Sequence, residues 1–390
     1  VTHIADLDPE RAREACRAVG WSAERIAATT FYEDGLDAAC APVDVVIEAT
    51  GAPEAGLNHA RASLDAGRHI VMVNVEADVL AGPILAAQAR DSGLVYSMAY
   101  GDQPALVAEM VDWARATGFQ VAAAGKGTKY LPGYHEVTPD DVWDHYGLTA
   151  EEAAKAGMNP QMFNSFLDGS KPSIESTAVA NATGLSVPSN GLLYPPASVE
   201  DIPFVTRPIS EGGVLEQKGM VEVISSLEAN GRVIPYDIRM GVWVTVEAET
   251  DYIKHCFEEY NAHTDPSGRY FTLYKRWHLI GLEVGMSVAS VALRGEPTGV
   301  AIGWNADVVA AAKRDLKPGD ALDGEGGYTV WGKLLPSSKS VQLGGVPLGL
   351  AHDVKVIRPV PQGQVVTWAD VAMDTTTRAY QLRMELEALK

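Results

Sequence analysis

The sequence predicts an α/β protein: a doubly wound parallel (Rossmann) sheet, then an α+β catalytic region, then a small all-β C-terminal unit. Three observations carry that expectation. Buried-type apolar runs alternate with helical patterns as far as residue 125. A polar, glycine-punctuated texture then takes over. The last hundred or so residues are short strand-like runs separated by Pro/Gly turns. The expected domains are therefore 1–125, 126–285 and 286–390.

The elements follow in order. Val1–Asp6 reads as a strand, and Pro9–Val19 as a helix entered through Asp8, a natural cap. Val43–Ala49 is a continuous apolar run, as expected for a parallel strand buried on both faces. Thr50-Gly51 breaks it, and Pro53 opens a helix with Leu57, Ala60 and Leu64 on one face, stopped by Gly67. The alternation continues with strand His69–Val73, a helix from Val79 to Arg90, strand Leu94–Met98, helix Pro104–Ala116 and strand Gln120–Ala124. Helices are expected at Thr149–Gly157 and Ser173–Thr183. Gly219–Ser225 and Val242–Val246 read as antiparallel strands. In Arg269–Met286 a strand turns into a helix, and a last helix covers Thr375–Leu389.

Composition excludes several classes. The 390 residues are 46% hydrophobic and 21% charged, which excludes wholesale disorder. No apolar run approaches the roughly 20 residues that span a bilayer. Thirty-one Lys and Arg stand against 51 Asp and Glu, a formal net charge of −20. Such a surface repels nucleic-acid backbones and anionic membranes, yet leaves room for a local basic pocket. Cys16, Cys40 and Cys256 are scattered, which suits a reducing cytoplasm. His255, Cys256, Glu258, Glu259 and His263 lack metal-ligand spacing, so no metal ligand is assigned.

A dinucleotide-binding domain carries a glycine-rich turn after its first strand and an acidic residue about 20 positions later. Asp6 sits where that acid belongs, so the first strand and its turn are expected upstream of Val1. Its carboxylate suits an adenosine ribose diol and repels a 2′-phosphate, favouring NADH over NADPH. Ala49, Thr50 and Gly51 end a parallel strand, where ligands bind in such sheets.

Downstream, Gly125–Gly147 holds Lys126 and Lys129, cations able to neutralise a phosphate or an enolate. Asn164–Glu175 adds Asp168, Lys171 and Glu175, candidates for proton transfer. Lys275, Arg276 and His278 stand before an expected helix start, an arrangement suited to an anion. Lys126, Lys129, Asp168, Lys171 and His278 are expected to face one cavity.

Longer motifs then give a resemblance. Val71–Glu76 (VMVNVE), Gly101-Asp102-Gln103-Pro104 and Lys126–Leu131 are similar to strand-end motifs of homoserine dehydrogenases, with Asn74 in the asparagine position. The lysine of that family is replaced by Val75. The "RDLKPGDAL" turn at 314–322 resembles an SAF domain. Together with GKGTKYLP, FLDGSK and LYKRWHLIGLE, the chain resembles the deoxyxylulose-phosphate reductoisomerase-like (DRL) oxidoreductases. The resemblance implies a nicotinamide site lined by Asn74, Gly101 and Gly127, with NADPH or NADH as cofactor. It implies a role in isoprenoid biosynthesis, a homo-oligomer and an anionic small-molecule substrate, phosphorylated or carboxylated. Lys275 and Arg276 would hold the phosphate. Lys126, Lys129 or Lys171 would stabilise oxyanion charge, and Asp168 with Glu175 would shuttle protons or hold a divalent ion. A plain dehydrogenase of a hydroxy acid, amino alcohol or polyol phosphate, and a non-catalytic carbohydrate-binding or regulatory protein, are the alternatives.

Overall fold

The computed structural model describes residues 1–390. Its first part alternates strand and helix: β1 (His3–Ala5), α1 (Pro9–Ala18), α2 (Ala23–Ala27), β2 (Thr30–Tyr32), α3 (Gly35–Ala39), β3 (Val45–Glu48), α4 (Pro53–Asp65), β4 (His69–Met72), α5 (Val75–Asp91), β5 (Tyr96–Met98) and α6 (Gln103–Ala116). All strand pairing here is parallel, with β1 beside β2 and the order β3-β4-β5. The two sheets are not bonded to each other, so the parallel layer is in two pieces rather than one continuous sheet. Leu57, Ala60 and Leu64 of α4 are buried with Ile70, Met72, Leu80 and Leu85, the face the periodicity indicated. Each large apolar side chain so buried stabilises the fold by about 1.5–3 kcal/mol. Helix α5 starts at Val75, four residues before the expected Val79, because Asn74 caps it by accepting from the Ala77 amide at 3.0 Å.

The middle of the chain departs further from the sequence reading. Strand β6 (Gln120–Thr128) runs past Ala124 and carries Lys126 inside it rather than in a loop. The lysine does not end the strand because a buried carboxylate neutralises it. Helices α7 (Val142–Tyr146), α8 (Ala150–Lys155), α9 (Pro160–Leu167), α10 (Ser170–Thr183) and α11 (Ile202–Val205) follow. Strands β7 (Met220–Ser225), β8 (Val242–Glu247) and β9 (Tyr270–Lys275) complete a sheet ordered β7-β6-β8-β9, with α12 (Asp251–Glu259) between β8 and β9. Strand β7 lies parallel to β6, not antiparallel; β8 is antiparallel to β6, as expected, and β9 pairs antiparallel with β8. No helix starts directly after His278. Residues 276–284 form an irregular arch, and the helix α13 (Gly285–Ala289) begins beyond it.

The C-terminal part holds β10 (Ala306–Ala312), β11 (Ala321–Asp323), β12 (Val330–Pro336), α14 (Ser337–Leu343), β13 (His352–Val356), β14 (Val371–Ala372) and α15 (Arg378–Glu387). Its pairings are all antiparallel. Its core is shared: Val308, Ala310 and Leu348 pack in one cluster with Val75, Val79 and Met98, and with Ile174 and Ala178 of α10. The end of the chain then returns to the beginning. Ala379 and Leu382 of α15 join the α4/α5 core. On the same helix fully buried Arg383 donates to both oxygens of Asp307 in β10, at 2.9 and 2.5 Å. No helix is long and apolar enough to cross a membrane.

Candidate active site

Helix α10 is the spine of the site. Gly169 precedes it in the left-handed region at φ +90°, and the Ser170 amide donates to Asp168 Oδ1 at 2.8 Å, so the helix starts sharply. Lys171 and Glu175 then lie one turn apart and are both drawn to partners on other elements. Lys171 Nζ donates to Glu76 Oε1 of α5 at 2.5 Å. Glu175 accepts from Lys126 of β6, and the pair is almost wholly shielded from solvent. Each cation meets a carboxylate in a dry setting, where breaking one partner away costs about 3–5 kcal/mol.

Between these pairs lies Gln103, the first residue of α6. With its amide oriented so that both ends meet partners, its NH2 faces Glu175 Oε1 at 3.2 Å and Asp102 Oδ1 at 2.5 Å, and its oxygen faces Lys126 Nζ at 3.2 Å and His278 Nε2 at 3.1 Å. Four side chains from four segments thus meet on one amide. His278 is held from the other side, with Nδ1–H donating to the Met240 carbonyl at 2.8 Å. Protonated, the ring donates from both nitrogens; neutral, it turns a lone pair toward the hub. Burial lowers its pKa, with Lys126 adding to that effect and the Met240 carbonyl and Glu175 opposing it. Burial and the charge of Glu175 push Asp102 up to about 7, against Lys171 and Lys126. Lys171 behaves oppositely: burial works against its charge, but Glu76, Glu175 and Asp102 outweigh it and hold the ammonium above the usual lysine range. Such a group of buried acids, bases and cations can polarise an oxygen and move a proton.

The hub lies where strand-end geometry predicts a ligand. Asp102 and Gln103 follow β5 through Tyr100 and Gly101, and Glu76 follows β4 through Asn74. Gly101 takes φ +95°, and a Cβ there would come within 2.8 Å of Glu283 Cβ, because the 276–284 arch closes over it. Asn74 is buried and committed to structure, donating to the Ala52 carbonyl at 2.9 Å. Ala49, Thr50 and Gly51 are exposed at the end of β3, and no atom lies within 4 Å of a Cβ built on Gly51. Asp6 ends β1 and is occupied on one oxygen, which accepts from Arg11 at 2.7 Å and from the Asp8 amide at 2.9 Å.

Other expected residues lie elsewhere. Lys129 does not reach the hub. Its ammonium donates to the His145 carbonyl and sits 5.5 Å from the Tyr146 ring centre. Asp168 is fully buried 2.8 Å from Lys313, which lies just after β10, so it faces the C-terminal strands rather than the hub. Burial raises its pKa in spite of that cation. Gly127 packs on the polypeptide behind the hub, where a Cβ would be 1.9 Å from the Ile238 carbonyl oxygen. Lys275 is paired with Glu283 at 2.6 Å, and without a helix start after His278 the anticipated anion cradle is not formed. Arg276 stacks 5.3 Å from Trp277 and makes no ion pair. His255 pairs with Glu258 and Glu259 on an exposed face. Glu76, Asp102 and Gln103, all central, were not anticipated. The visible signal was their position at helix starts directly after parallel strands.

Comparison with known proteins bears on the same segments. Residues 101–284 match the family model described as oxidoreductase DRL, catalytic domain. That match takes in a little under half of the chain. The matched stretch contains Asp102, Gln103, Lys126, Lys171, Glu175 and His278, while Glu76 comes from the preceding α/β layer. A 158-residue stretch is 29% identical to the 1-deoxy-D-xylulose 5-phosphate reductoisomerase of Heliobacterium modesticaldum, covering 36% of this chain and 40% of that relative. The match therefore spans well under half of the relative's length. Solved structures similar to parts of the chain include a probable dehydrogenase from Thermotoga maritima, at 13% identity and TM-score 0.36, covering 76% of this chain and 82% of that one. A WlbA dehydrogenase from Bordetella pertussis in complex with NADH and UDP-GlcNAcA is 18% identical at TM-score 0.25, covering 33% and 37%. An inositol dehydrogenase homolog from Azotobacter vinelandii, complexed with NADH and myo-inositol, is 22% identical at TM-score 0.23, covering 34% and 35%.

Proposed function

We propose that this DRL oxidoreductase is an NAD(P)H-dependent reductoisomerase acting on a phosphorylated keto-sugar of the deoxyxylulose-phosphate type. The observation that carries the reading is the Gln103 hub. It gathers Asp102, Lys126, Glu175 and His278 on one amide beside the Lys171–Glu76 pair, close to the carboxyl ends of β4 and β5, where a nicotinamide ring would come to rest. The partial likeness to a reductoisomerase supports the choice of substrate class.

The residues present suit a dinucleotide. The exposed Ala49–Gly51 strand end leaves a pyrophosphate room, Asp6 retains one carboxylate oxygen for a ribose diol, and Gly101 lies under the arch at the nicotinamide end. The bound cofactor would supply the hydride. The chain's own groups do the remaining work. A skeletal rearrangement followed by reduction requires two vicinal oxygens to be polarised and protons to be moved between them. Lys126 and Lys171 are the cations available for oxyanion charge, and Glu175 tethers Lys126 in place. His278 can give or take a proton at Nε2, with Nδ1 fixed on Met240 so that the ring cannot swing away. Asp102, pushed up to about 7, holds or releases a second proton near neutrality. Gln103 fixes the relative orientation of Asp102, Lys126, Glu175 and His278. The C-terminal strands, which we read as an SAF-like module, support α10 through Lys313 and Asp168.

The test is direct. Titration with NADH and NADPH, followed by incubation with phosphorylated ketoses and product NMR, should show cofactor oxidation and a changed carbon skeleton. Oxidation with retained connectivity would make the protein a plain dehydrogenase, and no nicotinamide binding would overturn the oxidoreductase assignment of this site.

A further inference from the structure

The cations nearest the hub are all paired: Lys126 with Glu175, Lys171 with Glu76, and Lys275 with Glu283. Lys129 and Arg239 are not. Neither has a carboxylate within ion-pair distance, in a chain of net charge −20. Both cations address the same ring: Lys129 Nζ lies 5.5 Å and the Arg239 guanidinium carbon 5.6 Å from the centre of Tyr146. Lys129 is half-buried, and its pKa is lowered by burial and by Arg239, the mark of two like charges held close.

Backbone geometry enforces the approach. The 236–241 segment packs on Gly127, where a Cβ would stand 1.9 Å from the Ile238 carbonyl oxygen and 2.9 Å from the Arg239 nitrogen. Tyr236, at the start of that segment, takes φ +56°. A non-glycine residue there costs on the order of 1 kcal/mol, so the surrounding fold holds the segment in a strained path. Its last residues return to the hub, since the Met240 carbonyl, next to Arg239, anchors His278. Arg239, one residue from that anchor, and Lys129, which has only the His145 carbonyl and the Tyr146 ring, are two like charges with no carboxylate to offset them. A bound dianion offsets both.

We propose that Lys129 and Arg239, over the Tyr146 ring, form an anion subsite that grips the phosphate of the substrate while its carbonyl end lies at the Gln103 hub. This deepens the function proposed above and rests on it for the identity of the substrate. It moves the phosphate grip away from Lys275, whose charge is already met by Glu283.

The probe is inorganic phosphate, titrated calorimetrically into the full chain. Wild type should bind one phosphate, and Arg239→Met and Lys129→Met should each weaken it tenfold or more. Lys129→Arg should retain binding, which keeps the test valid if a methionine variant fails to fold. Arg232→Met, at an exposed arginine already paired with Glu228, should leave it unchanged. A ketose phosphate such as xylulose 5-phosphate should displace phosphate, and NADPH should not. Phosphate binding indifferent to Lys129 and Arg239, or none in wild type, would overturn the subsite. Displacement by NADPH in place of the sugar phosphate would overturn its assignment to substrate. NADH affinity, measured separately on each variant, should not change. Its loss in wild type would undermine the oxidoreductase reading and leave the phosphate result standing.

Discussion

Replacing Asp102 by Asn should stabilise the folded protein above neutral pH and lower its turnover. Asp102 is fully buried, and burial plus the charge of Glu175 push its pKa up to about 7 from 3.8. The sign follows from proton binding. Between these two values the native state holds a proton that the unfolded chain has released, so stability falls as pH rises from 3.8 to about 7 and stays low above it. Three pKa units at about 1.4 kcal/mol each give an upper bound of about 4 kcal/mol for that loss. Asn retains an oxygen to accept from the Gln103 amide, now at 2.9 Å from Asp102 Oδ1, so the cap of α6 survives. Urea denaturation at pH 5 and pH 8 reads the effect as a midpoint shift at constant slope. The variant should gain on the order of 2–4 kcal/mol over wild type at pH 8 and less than half of that at pH 5. Other buried acids, Asp78 and Glu222, titrate in both proteins and cancel in the comparison. Equal differences at the two pH values would show that Asp102 is not the strained group described here.

Three further perturbations test other parts of the site. Lys171→Met leaves Glu76 and Glu175 short of a cation; turnover should fall on the order of a hundredfold while NADH affinity, measured by fluorescence, stays within about twofold. Lys313→Met strands Asp168 as an unpaired buried carboxylate, and chemical denaturation at pH 7 should show a loss of about 3–5 kcal/mol; a loss under 1 kcal/mol would mean the pair contributes little. Asp6→Ala should weaken NADH more than NADPH, because it removes a diol acceptor and relieves repulsion of a 2′-phosphate; equal responses would remove Asp6 from the cofactor site.

Much of the first 125 residues was legible because parallel strands buried on both faces leave a plain apolar signature. His69–Met72 is such a run; Val45–Glu48 carries the same apolar signature but is not buried on both faces, since Ile47 is exposed, and Asp8, Pro53 and Gly67 punctuate the neighbouring helices. The five-residue helices α2 and α3 were not legible, being too short to develop a periodic face. Lys126 read as the start of a loop because a lysine in a strand interior is costly on its own. Its partner Glu175 is 49 positions away, beyond any local pattern. Glu76, Asp102 and Gln103 were hidden by a different cause: acids and amides in a first helical turn are ordinary caps, so their chemistry is masked by a routine structural use. Lys129 and Asp168 were drawn toward the hub on composition alone. Strand and helix geometry sends the first to His145 and Tyr146 and the second to Lys313.

The return of α15 to the start of the chain bears on how fast ligands can come and go. The helix leans on α4 and α5 with one face, and through Arg383 it grips Asp307 with another. Hinging the α/β layer away from the C-terminal strands would tear that buried ion pair apart, at a cost of about 3–5 kcal/mol. An open form so penalised would be populated at roughly one molecule in a hundred to one in several thousand. Traffic to the hub is therefore directed to the 276–284 arch, which has no helix or strand to hold it and which lays Trp277, Leu279 and Leu282 on the surface. Ligand exchange would then be limited by the rearrangement of nine residues within an otherwise rigid frame.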